Sequence, residues 1–142
     1  MDKPKYPVYI ISKGRADVGY TANFMLKDKI DFKLVIEPQE FKEYARFYDE
    51  KLLLTTPFSN LGKGSIPVRN FIWEDSIKNG HERHWCFDDN IHSIRYQWNG
   101  RRIKCNGNLG IHAVEKFTDR YENIAIRGMN YTFFVPPGTR KP

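Results

Sequence analysis

Four short apolar runs, separated by segments of helical spacing, constrain this chain more than any other feature. "YPVYIIS" (6–12), "DFKLVIE" (31–37), "KLLLTTP" (51–57) and "RHWCFD" (83–88) have the composition and length of buried strands. Between the first two lies "VGYTANFMLKD" (18–28), a weakly helical segment. "QEFKEYARFYDE" (39–50) carries apolar or aromatic residues at 41, 44, 45 and 48, a spacing that predicts a helix. A third helix is expected after the loop "FSNLGKGSIP", with Ser65 as its cap, Pro67 in its first turn and Gly80 as its stop. Strands alternating with helices argue for an α/β domain with a mostly parallel central sheet. Further on, "SIRYQWNGRRIKC" (93–105) sets Asn99-Gly100 between alternating segments, a strong β-hairpin signal. Ile111, Val114 and Phe117 predict a helix over 110–122, and "NIAIRGMNYTFFV" (123–135) reads as strand, turn and strand.

Parallel sheets bind ligands beyond the carboxyl ends of their strands. That rule places three stretches on one rim: Ser12-Lys13-Gly14-Arg15, the loop 62–65, and Asp88-Asp89-Asn90. Two adjacent carboxylates at a strand end repel each other and resist desolvation. A divalent cation relieves both penalties, and the oxygen donors of Asp88, Asp89 and Asn90 suit Mg²⁺ or Mn²⁺. The competing reading is a solvated turn. "SKGR" contains neither a dinucleotide fingerprint nor a P-loop. It is either an ordinary turn or a site where Lys13 and Arg15 face a diphosphate that Gly14 lets approach closely. His81, His84, Cys86 and His92 lack zinc spacing, and His84 and Cys86 are read as packing groups. Trp73 and Trp85 are read as core.

The length of 142 residues suggests one domain. Two cysteines in no paired motif fit a reduced, cytoplasmic setting. No signal peptide is read, and no apolar run approaches the roughly 20 residues a membrane span needs. The net charge of +6 serves solubility or an anionic partner such as nucleic acid. Trp98 beside the hairpin turn either packs or stacks on a base. "NGRRIK" is either a solvated tip or a DNA contact, and Arg69 taken alone is a surface or salt-bridge residue.

In order, "ISKGR", then "GKGSIPVRNFIWEDSIKNGHERHWCFDDNI", resembles the nucleotide-sugar half of a GT-A fold glycosyltransferase. In that fold a helix bearing an Arg-Asn pair, here Arg69-Asn70, precedes a strand ending in a D-x-D-type motif, here Asp88-Asp89-Asn90. The chain is most similar to the TET-associated glycosyltransferases of phages, with the base J glucosyltransferases as cousins. The shared layout includes a later "GMNYTFF"-like segment, and the likeness covers roughly residues 7 to 135. It implies a GT-A, Rossmann-like nucleotide-sugar-binding domain. It also implies a metal-dependent transfer of a sugar from a nucleotide-sugar, a UDP-sugar, to a hydroxymethylated pyrimidine in DNA, in the host cytoplasm if phage-encoded.

By that likeness Asp88 lies near the donor ribose, and Asp89 or Asn90 near Mn²⁺ or Mg²⁺ on the diphosphate. Ser12, Lys13, Gly14 and Arg15 hold the nucleotide, and Arg69 with Asn70 lies near donor phosphate or sugar. Trp98, Arg101, Arg102 and Asn130 are assigned to the acceptor DNA. Asn90 stands where many GT-A enzymes carry a carboxylate, and an amide ligates without charge. The whole chain, 1–142, is expected to be a single donor-binding domain, either complete or lacking a C-terminal acceptor portion. The alternative function is a non-catalytic nucleotide- or DNA-binding module.

Overall fold

The structure is a computed structural model, and it describes residues 3–131. The chain divides into two compact units, Tyr6–His92 on one side and Met1–Lys5 with Ser93–Pro142 on the other.

The first unit holds a four-stranded parallel sheet. Its strands are β1 (Val8–Ile11), β2 (Lys33–Ile36), β3 (Leu53–Thr55) and β4 (Trp85–Asp88), in the order β3-β2-β1-β4. The helices are α1 (Tyr20–Lys27), α2 (Phe41–Tyr44) and α3 (Ile66–Lys78). Because β2 and β3 lie on one side of β1 and β4 on the other, the chain reverses direction across the sheet between β1 and β4. Such a switch point opens a crevice at the strand ends.

Residues in register share a face of a sheet, so Tyr9 lies beside Cys86 and Ile11 beside Val35. Tyr9, Val35 and Ile72 form a buried cluster, with Ile11, Leu54, Val68, Phe71 and Cys86 packed around it. Val68, Phe71 and Ile72 recur at helical spacing, which is how α3 lies against this face. Ile72 is fully buried, and truncation to alanine would cost about 2–5 kcal/mol. Burial pushes the Tyr9 phenol well above its ordinary pKa, helped by its hydrogen bond to Asp75 at 2.8 Å. Tyr9 thus tethers the sheet to α3 as a neutral donor.

Several expectations change here. The helix expected over 39–50 breaks up into a 3-10 turn (Pro38–Glu40), the four-residue α2 and a second 3-10 turn (Glu50–Leu52). Tyr44 and Tyr48 keep their burial at the expected spacing, but Asp49 caps the second turn through Lys51 N–H and draws the backbone out of the helix. Ser65 makes no side-chain cap and instead accepts a hydrogen bond from Arg69 Nε at 3.3 Å. Among the described residues β4 is an edge strand of the sheet. Trp73 is 60% exposed instead of core, because it shares the outer face of α3 with Ile66 and Ile77. Trp85 is half-buried and stacks on Phe87.

The second unit contains the hairpin β5 (Arg95–Trp98) and β6 (Arg101–Lys104), and helix α4 (Gly107–Thr118). Asn99 and Gly100 both have positive φ, 47° and 73°, as a tight two-residue hairpin turn requires. Helix α4 starts three residues earlier than its periodicity suggests. The Asn106 side chain accepts from Asn108 N–H and caps it. The stretch expected as strand, turn and strand has no strand over 123–131, and 132–135 lie outside the described residues.

Candidate functional site

The site grows from the ends of β1 and β4. Ser12 follows β1 directly, and Asp88 and Asp89 end β4. Parallel pairing sets Ile11 opposite Asp88, so the two chain ends emerge side by side. Ser12 Oγ donates to Asp89 Oδ2 at 2.9 Å, and Arg15 Nη1 reaches Asp89 Oδ1 at 3.0 Å. Tyr44 Oη lies 2.7 Å from Ser12 Oγ and accepts from Arg15 N–H. Since Ser12 spends its proton on Asp89, Tyr44 donates to Ser12. Burial pushes the Tyr44 hydroxyl above its ordinary pKa, which keeps it a donor. The result is a closed ring, from the Arg15 backbone through Tyr44, Ser12 and Asp89 back to the Arg15 guanidinium.

The two aspartates differ. The Asp89 side chain is 12% exposed and both oxygens accept hydrogen bonds. Asp88 is 46% exposed; its Oδ1 accepts from Arg69 Nη2 at 3.0 Å, and its other oxygen points to no partner among the described residues. Thr21 holds the backbone beneath them. Its hydroxyl donates to the Asp88 carbonyl and accepts from Ile91 N–H, and its own N–H donates to the Asp89 carbonyl. Asn90 is exposed at the turn.

Beside this ring lies a cavity of about 220 Å³, lined by Ser12, Lys13, Glu37, Phe58 and Leu61 and by the glycine loop at Gly62 and Gly64. Gly14, Gly62 and Gly64 all have positive φ, which glycine adopts without strain. Glu37 is the hub of one wall. It accepts from Lys13 Nζ at 2.9 Å, from Asn60 N–H at 2.9 Å and from Gln39 Nε2 at 2.6 Å. Burial pushes the Glu37 carboxyl up, but these hydrogen bonds outweigh it and hold the group below its ordinary pKa. Glu40 takes the Gly14 N–H and pins the turn.

The three stretches expected on one rim therefore do converge: Ser12 to Arg15 and Asp88 to Asp89 bond to one another, and the glycine loop shares the cavity with Ser12 and Lys13. The Arg69-Asn70 pair splits. Arg69 reaches Asp88, while Asn70 is exposed on the helix face of Ile66, Trp73 and Ile77. Trp98, Arg101 and Arg102 lie on the hairpin, and Asn130 is exposed in a segment without regular structure.

Sequence reading missed Glu37, Tyr44, Thr21 and Asn60. Glu37 carried a usable signal, standing directly after a strand and so on the ligand rim. Tyr44 carried none, since its reach to Ser12 spans 32 residues.

The residues fit a cation only of a particular kind. Among the described residues no group of three or more His, Cys, Asp or Glu could hold a metal. Asp88 and Asn90 carry hard oxygens and would suit only an ion that takes its other ligands from water and phosphate, as Mg²⁺ does. An all-protein cage has no counterpart here.

The family model of TET-Associated Glycosyltransferases matches residues 6–142. The chain belongs to this family. No curated protein and no solved structure matches it. Membership agrees with the architecture, a parallel sheet flanked by helices and joined to an antiparallel hairpin, as in a Rossmann-like glycosyltransferase. No helix among the described residues is long and apolar enough to cross a membrane.

Proposed function

We propose that this member of the family moves a sugar from a UDP-sugar to a hydroxymethylated pyrimidine base in DNA, with Mg²⁺ or Mn²⁺ at the donor. The observation that carries this reading is the pairing of cations and carboxylates at the switch point, Arg15 on Asp89 and Arg69 on Asp88, tied through Ser12 and Ser65 to the cavity those serines line. A nucleoside diphosphate needs guanidinium donors for its phosphates and a slot for its base. In this reading the base enters the cavity against Glu37 and Phe58, and the diphosphate lies over Arg15 and Arg69. Asp88 and Asn90 would hold the cation, whose chemistry is Lewis-acid stabilisation of the leaving diphosphate. In the transfer the bond from the anomeric carbon to the diphosphate breaks. A bond to the hydroxymethyl oxygen forms, and that hydroxyl gives up its proton. A base within a duplex must leave the stack to reach the sugar.

Titration calorimetry of UDP into the protein, with Mn²⁺ and with chelator, tests the donor half. Saturable binding that requires Mn²⁺ is expected. Absence of binding by both UDP and UDP-glucose in both conditions would overturn the donor assignment. Incorporation of labelled sugar into DNA containing 5-hydroxymethylcytosine, and not into unmodified DNA, tests the acceptor.

A further inference from the structure

The hairpin concentrates charge in a way the rest of the chain does not. Residues 93–106 carry Arg95, Arg101, Arg102 and Lys104 and no acid, a net +4 in a chain whose total is +6. Cross-strand partners share a face, so the register sorts the ribbon. Arg95 with Lys104 and Gln97 with Arg102 form one face, and Tyr96 with Ile103 and Trp98 with Arg101 form the other. Every residue of β5 is exposed, with Tyr96 at 46% and Trp98 at 57%. A lone two-stranded ribbon is marginally stable in water. The root is anchored instead: Ile94 is buried over Gly110, and its carbonyl accepts from Cys105 N–H at 3.1 Å.

We propose that this ribbon is the element that grips the acceptor DNA. It rests on the reading of DNA as acceptor and adds the surface and its two modes of contact. Arg95, Arg102 and Lys104 neutralise backbone phosphates, and Tyr96 and Trp98 on the opposite face stack on bases that have left the helix. Charge complementarity selects a polyanion, and the exposed aromatic pair selects one that carries bases.

Fluorescence anisotropy with a labelled DNA duplex across a salt series tests this, alongside UDP calorimetry on the same proteins. The triple variant Arg95→Gln/Arg102→Gln/Lys104→Gln is expected to lower the salt slope by about 3, close to one for each phosphate no longer neutralised. Arg95→Lys/Arg102→Lys should keep the native slope. Trp98→Ala should weaken binding about tenfold with the slope unchanged. UDP binding should be native in all of them. An unchanged slope in the triple variant overturns the proposal, as does equal affinity of the native protein for inorganic polyphosphate. Native DNA binding without UDP binding would count against the donor reading alone. UDP binding without DNA binding would overturn the hairpin assignment and leave the donor site standing.

Discussion

At the rim of the parallel sheet each of three cations is answered by a carboxylate: Lys13 by Glu37, Arg15 by Asp89 and Arg69 by Asp88, all within 3.0 Å. The hairpin has four cations and no acid in its own segment. The rim is internally compensated, so a diphosphate bound as proposed would exchange partners with groups already fixed in place. The hairpin segment carries net charge, so what it attracts is governed by that charge and by the salt that screens it. On the function proposed above, the first region takes a small ligand in a defined pose and the second a large polyanion met along its surface.

The strongest way to break the comparison lies within the rim. Asp89→Ala removes the acceptor of Ser12 and of Arg15, so it is expected to abolish UDP binding and to destabilise the fold by about 1–3 kcal/mol. Native denaturant stability in this variant would show that the ring is not holding the β1 turn. Asp88→Asn is the contrasting case. UDP binding in Mn²⁺ should fall by about 100-fold, while stability stays within about 0.5 kcal/mol, because the side chain is 46% exposed. Equal stability losses in the two variants would erase the distinction between a locked and a ligand-facing carboxylate.

Tyr44→Phe sharpens the same point with one atom. The ring loses its buried hydroxyl, leaving Ser12 and the Arg15 N–H short of a partner, at a cost of about 1–2 kcal/mol by urea unfolding. The smallest effect expected is on acid stability. Glu37 has a lowered pKa in the fold, so its contribution is fully present above its ordinary value near 4.5. That contribution is lost as pH falls through the folded pKa. Native protein and Glu37→Gln should therefore differ in thermal midpoint at pH 6 and converge at lower pH. A constant gap across the range would place the stabilisation elsewhere.

Much of the fold could be read directly from residue order. Period-2 and continuous apolar runs marked all four strands, because a buried strand must be apolar wherever it lies. Asn99-Gly100 marked the hairpin, because few residue pairs tolerate two positive φ values. The helix over 39–50 misled for a physical reason: the burial of Tyr44 and Tyr48 is real, but a cap at Asp49 and the pull of the sheet rim decide the backbone. Trp73 misled because a helix can carry two apolar stripes, and sequence does not say which one meets the sheet.

For the candidate site, Ser12, Lys13, Gly14, Arg15, Asp88 and Asp89 were accessible from a single rule, that ligands sit beyond parallel strand ends. The local pattern set the identity of the strands, the turn chemistry and the placement of acids and bases near their ends. Only the tertiary structure decided which acid meets which base, because strand order and register bring together groups tens of residues apart. Ser12 and Tyr44 are separated by 32 positions, and Arg15 and Asp89 by 74. Side-chain chemistry is local, so the sequence carries it. Pairing depends on which chain segments pack side by side, and no short-range pattern records that.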